Sequence, residues 1–178
     1  TTGDTEIEPI GYKFKGTKKK PIKLEINGNA GSLCGLYSQN SIFNIKGNVG
    51  TWCGYFSKNT TFNIEGNVGD VCGDNSSKNI FILKGNVGKH CGIDSNHNIF
   101  NIRGDVGKNC GYRSIKNSYL IEGSVGDFDH GYSETDNHYR TKNSTFKTPN
   151  KETYEKIKKE LGGFFKRLTE GNKVELIE

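Results

Sequence analysis

Methionine is absent from the 178 residues, tryptophan occurs once and proline three times. With so little proline, the 24 glycines fit neither a collagen-like chain nor a flexible linker. There is no run of 18 apolar residues, so no span of transmembrane length is expected, and no apolar signal-peptide core is visible. The chain begins at Thr1, so loss of an N-terminal leader stays open. Apolar residues make up only 31% of the chain, with a net charge of +5. So polar a chain gathers a core only if its few apolar residues recur in register.

They do recur. Gly28, Gly47, Gly66, Gly85, Gly104 and Gly123 stand 19 residues apart. The copies read GNAGSLCG, GNVGTWCG, GNVGDVCG, GNVGKHCG and GDVGKNCG, and the sixth, GSVGDFDHG, is one residue longer. A short alternating segment precedes each. Leu24, Phe43, Phe62, Phe81, Phe100 and Tyr119 form one column; Ile26, Ile45, Ile64, Leu83, Ile102 and Ile121 form another. A separation of two residues places both columns on one face of a strand. Further inward columns are Ala30, Val49, Val68, Val87, Val106 and Val125, and Cys34, Cys53, Cys72, Cys91 and Cys110. Nineteen residues suit two or three short strands joined by tight bends, and the glycines mark the bends. The expected fold is therefore all-β: a right-handed parallel β-helix of about six turns. Turns spaced by about 4.8 Å make a rod of roughly 29 Å.

Preceded by segments of the type IFNIKG, the pattern G-x-x-G-x-x-x-G resembles the GXGXG domain over residues 22–131. That β-helix is found at the C-terminus of the glutamate synthase large subunit and in one of the subunits of formylmethanofuran dehydrogenase. The resemblance implies a structural or accessory part beside catalytic domains. This chain departs from it in placing Cys where an aliphatic residue is common.

The ends break the repeat. Residues 1–21 read as an N-terminal cap, 22–148 as the solenoid with NSTFKT adding Phe146 to the aromatic column, and 149–178 as a C-terminal cap of helix and short strand. Asn150 is a good N-cap for KETYEKIKKEL. Tyr154, Ile157, Leu161, Phe164 or Phe165, and Leu168 would form its apolar face; that face either covers the last turn or docks a partner.

The residues that carry chemistry are few. Five cysteines in one inward column read as packing, because a metal site needs convergent ligands, commonly from a C-x-x-C pair that is missing here. Asp127, Asp129, His130, Asp136 and His138 gather in the irregular sixth copy and are the weak candidates for a divalent cation. His90 and His97 read as solvated turn residues. Lys13, Lys15, Lys18, Lys19, Lys20 and Lys23 form the main basic cluster. It could meet a phosphate backbone, but without interleaved aromatics at Lys18–Lys20 a solvated edge is the simpler expectation. Leu33, Leu36 and Tyr37 of the first copy would stack on Trp52, Tyr55 and Phe56 of the second, giving either an apolar interface patch or extra core beneath the N-terminal segment.

No nucleophile–base pair, phosphate loop or dinucleotide fingerprint is present. One turn column, Lys46, Glu65, Lys84, Arg103 and Glu122, varies in sign from copy to copy and offers no paired carboxylates for sugar chemistry. The sequence thus points to a non-enzymatic scaffold or protein-interaction solenoid without a cofactor, partnered by another protein or by its own copies. The alternatives are an accessory subunit of an oxidoreductase complex and a surface- or polysaccharide-binding solenoid. Ice binding fits poorly, because the outward column Ile42, Thr61, Ile80, Ile99 and Ser118 is irregular. The reduced cysteines favour a cytoplasmic setting.

Overall fold

Alternating apolar residues on a 19-residue period make strands that stack from turn to turn. In the computed structural model, which describes residues 9–127, 144–162 and 171–177, eight strands form one sheet in sequence order, and every neighbouring pair is parallel. They are β1 (Ile22–Ile26), β2 (Ser41–Ile45), β3 (Thr61–Ile64), β4 (Ile80–Leu83), β5 (Ile99–Ile102), β6 (Ser118–Ile121), β7 (Thr145–Thr148) and β8 (Lys173–Leu176), with one helix, α1 (Lys151–Gly162), between the last two. Isolated bridges make two more ladders per turn, one through Ala30, Val49, Val68, Val87, Val106 and Val125 and one through Gln39, Lys58, Ser77, Asn96 and Ile115. The chain is a β-solenoid. Five complete turns occupy residues 22–116, and a sixth starts before β6.

The register puts like on like. Phe43 faces Phe62, Phe62 faces Phe81, and Phe81 faces Phe100 across the sheet. Their rings stack 4.7–5.0 Å apart, and the stack continues through Tyr119 to Phe146. The five cysteines and the Phe column are fully buried. An isolated turn cannot bury these faces, so cohesion comes from neighbouring turns. Burial and the neighbouring Cys53 hold the Cys34 thiol far above the usual thiol range. For Cys53, the hydrogen bond to the Cys72 thiol acts first and burial second.

Polar columns run beside the apolar ones, the first of them exposed. The Asn48 amide donates to Asn29 Oδ1 at 2.8 Å, and Asn67 and Asn86 repeat the contact. A second, buried ladder runs through Asn79, Asn98 and Asn117. Asn79 Oδ1 accepts the Thr60 amide at 2.8 Å, while its Nδ2 reaches Ser57 Oγ at 2.9 Å. Each such side chain satisfies a backbone group that the bend leaves without a partner.

The bends rely on left-handed backbone. Gly35 has φ +73°, and a Cβ there would lie 2.6 Å from the Phe62 ring, so both conformation and space require glycine. Less expected are three non-glycine residues per turn at positive φ: Leu33, Tyr37 and Asn40, then Trp52, Phe56 and Asn59, then Val71, Asn75 and Lys78, and so on to Lys116.

Both ends of the solenoid are covered in part. Residues 10–16 imitate half a turn: Gly11 and Lys13 take positive φ as Gly35 and Tyr37 do, Gly35 N donates to Ile10 O, and Phe14 stacks on Phe43. At the other end Asn150 Oδ1 accepts the Thr153 amide at 3.0 Å as an N-cap. Thr153 Oγ1 in turn donates to Gly123 O at 3.0 Å. Ile157 is fully buried in the core cluster, and α1 packs on β7 and β8.

Candidate functional site

The outward face of the Cys-bearing segment carries the aromatic residues of the first two turns. Tyr37 and Phe56 stack 5.2 Å apart at 4°. Tyr55 touches Phe56 at 4.2 Å and meets Trp52 edge-on at 4.9 Å. Tyr12 of the N-terminal half-turn stands edge-on to Tyr37 at 6.3 Å, with Lys13 Nζ 4.7 Å above its ring. Tyr37, Trp52, Tyr55 and Phe56 therefore form one ridge, with Leu33 and Leu36 on the same two turns. Leu33, Leu36 and Tyr55 are half-buried; Tyr37, Trp52 and Phe56 are 42%, 37% and 39% exposed. Described residues of the N-terminal segment flank the ridge without covering it.

Three of its rings are held at positive φ, Tyr37 at 55°, Trp52 at 62° and Phe56 at 52°, as is Leu33 beside them at 60°. An L-residue with a bulky side chain loses roughly 1–2 kcal/mol there, whereas Asn and Asp tolerate the region. The later turns put Asn75, Asp94 and Arg113 where Tyr37 and Phe56 stand. Bulky, exposed and strained side chains on the first two turns do not serve the core.

Beyond the ridge lies a polar group that sequence columns did not reveal. Asp74 succeeds Tyr55 in its column, and only 6% of its surface reaches solvent. Burial, reinforced by Asp94, raises its carboxyl to about 6, against the hydrogen bond from Asn75 Nδ2 to Asp74 Oδ1 at 2.8 Å. Burial raises Asp94 as well, while Arg113, paired to it at 2.6 Å, lowers it. Asp74 and Asp94 come from adjacent columns of successive turns, 20 residues apart; searching within single columns passes over such a pair. Tyr55 is raised by burial and then by Asp74.

The other candidates fall elsewhere. Asp127 binds Lys156 at 2.8 Å, and that cation holds its carboxyl below the ordinary range. Asp129, His130, Asp136 and His138 lie outside the described residues. Among the described residues no three His, Cys, Asp or Glu side chains gather as a ligand set. His90 is half-buried with its Nδ1 enclosed and unpartnered, and His97 Nδ1 lies 3.2 Å from Asn96 Oδ1. In the turn column of mixed sign, Lys84 pairs with Glu65 at 3.0 Å. Tyr154 is half-buried with Lys158 Nζ 5.3 Å from its ring. Ile157 belongs to the core and offers no free docking face, because α1 lays that side on the last turns. Phe164 and Phe165 are outside the described residues.

Comparison of the chain with protein-family models, curated proteins and solved structures finds no match. Among the described residues no helix is long and apolar enough to cross a membrane. The functional reading therefore rests on the geometry of the ridge and its rim.

Proposed function

We propose that this chain is a non-enzymatic protein-interaction solenoid that docks a partner protein, its own copy included, through the aromatic ridge. One observation carries the reading: Tyr37, Trp52 and Phe56 are exposed and held in a backbone conformation that opposes them. That backbone recurs in every turn; what sets the first two turns apart is that it carries exposed aromatic rings where later turns carry Asn75, Asp94 and Arg113. The makeup fits an interface, with Tyr and Trp at the centre and Asn75 and the Asp94–Arg113 pair at the rim. At about 40% exposure each, the three rings offer roughly 300 Å², the size of a functional patch on a single chain. A stable contact of about 800 Å² per partner then extends onto Tyr12 and the polar rim.

Sugar stacking is a weaker reading, because Tyr37 and Phe56 spend their ring faces on each other. An accessory role in an oxidoreductase complex, the setting implied by the GXGXG resemblance, is one form the docking could take. Trp52 is the sole tryptophan, which makes it a built-in reporter. On docking, its emission shifts to the blue and acrylamide quenching falls. A fully quenchable Trp52 in the assembly isolated from its source speaks against the proposal.

A further inference from the structure

The N-terminal pole carries a second feature, independent of the ridge. β1 is the edge strand of the sheet. Ile22 N donates to Asn40 O and Lys46 N donates to Ile26 O, so the even-numbered residues of β1 aim their backbone groups toward the next turn. By strand alternation Lys23 and Glu25 turn N–H and C=O the opposite way, onto the edge that no other strand of the described residues pairs. Just before β1, Thr17 and Lys20 close a tight turn by mutual backbone hydrogen bonds of 3.0 and 3.1 Å. Thr17 Oγ1 also accepts the Lys20 amide at 3.0 Å. This turn presents Lys18, Lys19 and Lys20 beside the edge. Lys15, Lys18, Lys19, Lys20 and Lys23 are exposed, and none of them is ion-paired among the described residues. Glu25 is the sole acid in residues 9–26, and its Oε1 is bound by Asn44 Nδ2 at 2.5 Å. The opposite edge is different: β8 carries Lys173 and Glu175, with Glu175 tied to Lys147 at 2.7 Å.

We propose that the β1 edge takes up an extended, acidic protein segment, which adds as a further strand while its carboxylates lie among these five lysines. The outward N–H and C=O groups of Lys23 and Glu25 supply sequence-independent hydrogen bonds, and the unpaired positive charge selects the segment. Lysines beside an edge ordinarily deter strand pairing; they deter basic and neutral strands, and an acidic strand reverses the sign. Nucleic acid fits less well, since nothing aromatic interleaves Lys18–Lys20 for bases to stack on and the edge would go unused. A second copy fits less well too. Extending the sheet's register would set Lys173 of β8 against Lys23 and Glu175 against Glu25, like charges face to face.

The test uses the full chain and three probes: a soluble octapeptide alternating glutamate and valine, its lysine-for-glutamate counterpart, and a 20-base-pair DNA duplex. The acidic peptide is expected to bind saturably, more weakly as salt rises, and to slow amide exchange at Lys23 and Glu25. Two variants separate charge from edge. Lys18→Glu, Lys19→Glu and Lys20→Glu together should weaken binding about tenfold or more. Glu25→Pro removes an outward donor and leaves the donors of Ile22, Leu24 and Ile26 to β2 in place. If that variant disturbs β1, the triple lysine variant and the exchange data still decide. Failure of the acidic peptide to bind, equal binding of the basic one, tighter binding of DNA, or unchanged exchange at Lys23 and Glu25 each overturns the proposal. None of these outcomes depends on the aromatic ridge.

Discussion

Replacing Asp74 by Asn tests how the polar group beside the ridge is held. In the folded chain this carboxyl titrates at about 6, against 3.8 ordinarily. Between those pH values the folded state holds a proton that the unfolded chain has released, so stability falls as pH rises through the window and stays lower above it. A shift of about two units corresponds to about 3 kcal/mol. Asp74 lies in the outermost layer of a thin solenoid, where nearby water still screens it, and about half that value, ~1.5 kcal/mol, is the expected cost. Asp74→Asn keeps an oxygen for Asn75 Nδ2 and removes the charge. Urea denaturation should show the variant more stable by about 1–2 kcal/mol at pH 7.5 and equal to the parent at pH 4. The difference should open between pH 4 and 6. An offset that is the same at both pH values, or a less stable variant at pH 7.5, would mean that the buried charge of Asp74 does not oppose folding.

Other consequences follow from the columns. Phe81→Ala empties the middle of the ring stack and should cost about 3–5 kcal/mol in the same denaturation assay; a loss below about 1 kcal/mol would mean the stack is not the core. The five thiols are buried and free, so a disulfide exchange reagent should modify none of them in the native state and all five on unfolding. Rapid labelling of any one under native conditions would contradict the fold. The triple variant Tyr37→Asn, Trp52→Asn and Phe56→Asn exchanges strained positions for tolerant ones and loses ring contacts worth a similar amount. Its stability should stay within about 1 kcal/mol of the parent by thermal unfolding; a loss of several kcal/mol would assign the ridge to the core.

The inward columns were legible because a period of 19 leaves each column's chemistry constant: Phe on Phe, Val on Val, Cys on Cys. Even Phe146, beyond the irregular sixth copy, was placed by its strand. The left-handed positions were not legible. Gly and Asn announce such backbone, but Leu33, Tyr37, Trp52 and Phe56 are residues that avoid it, and stacking from turn to turn overrides their preference. The ridge was visible as a cluster, yet whether it faced outward depended on what residues 10–16 cover, and they lie over Phe43 and Gly35. The electrostatic coupling of Asp74 to Asp94 was not legible because it crosses columns. Helical spacing identified Ile157 as apolar without saying what it meets; β7 and β8 supply the answer.

If the ridge is a protein-docking face, the mass of the native assembly shows it most directly. The chain, isolated under native conditions, is expected to run above its monomer mass, and Trp52→Ser should return it to a folded monomer. A parent chain that stays monomeric and partner-free at every concentration, or a Trp52→Ser chain that keeps the same assembly, would contradict a docking role for the ridge.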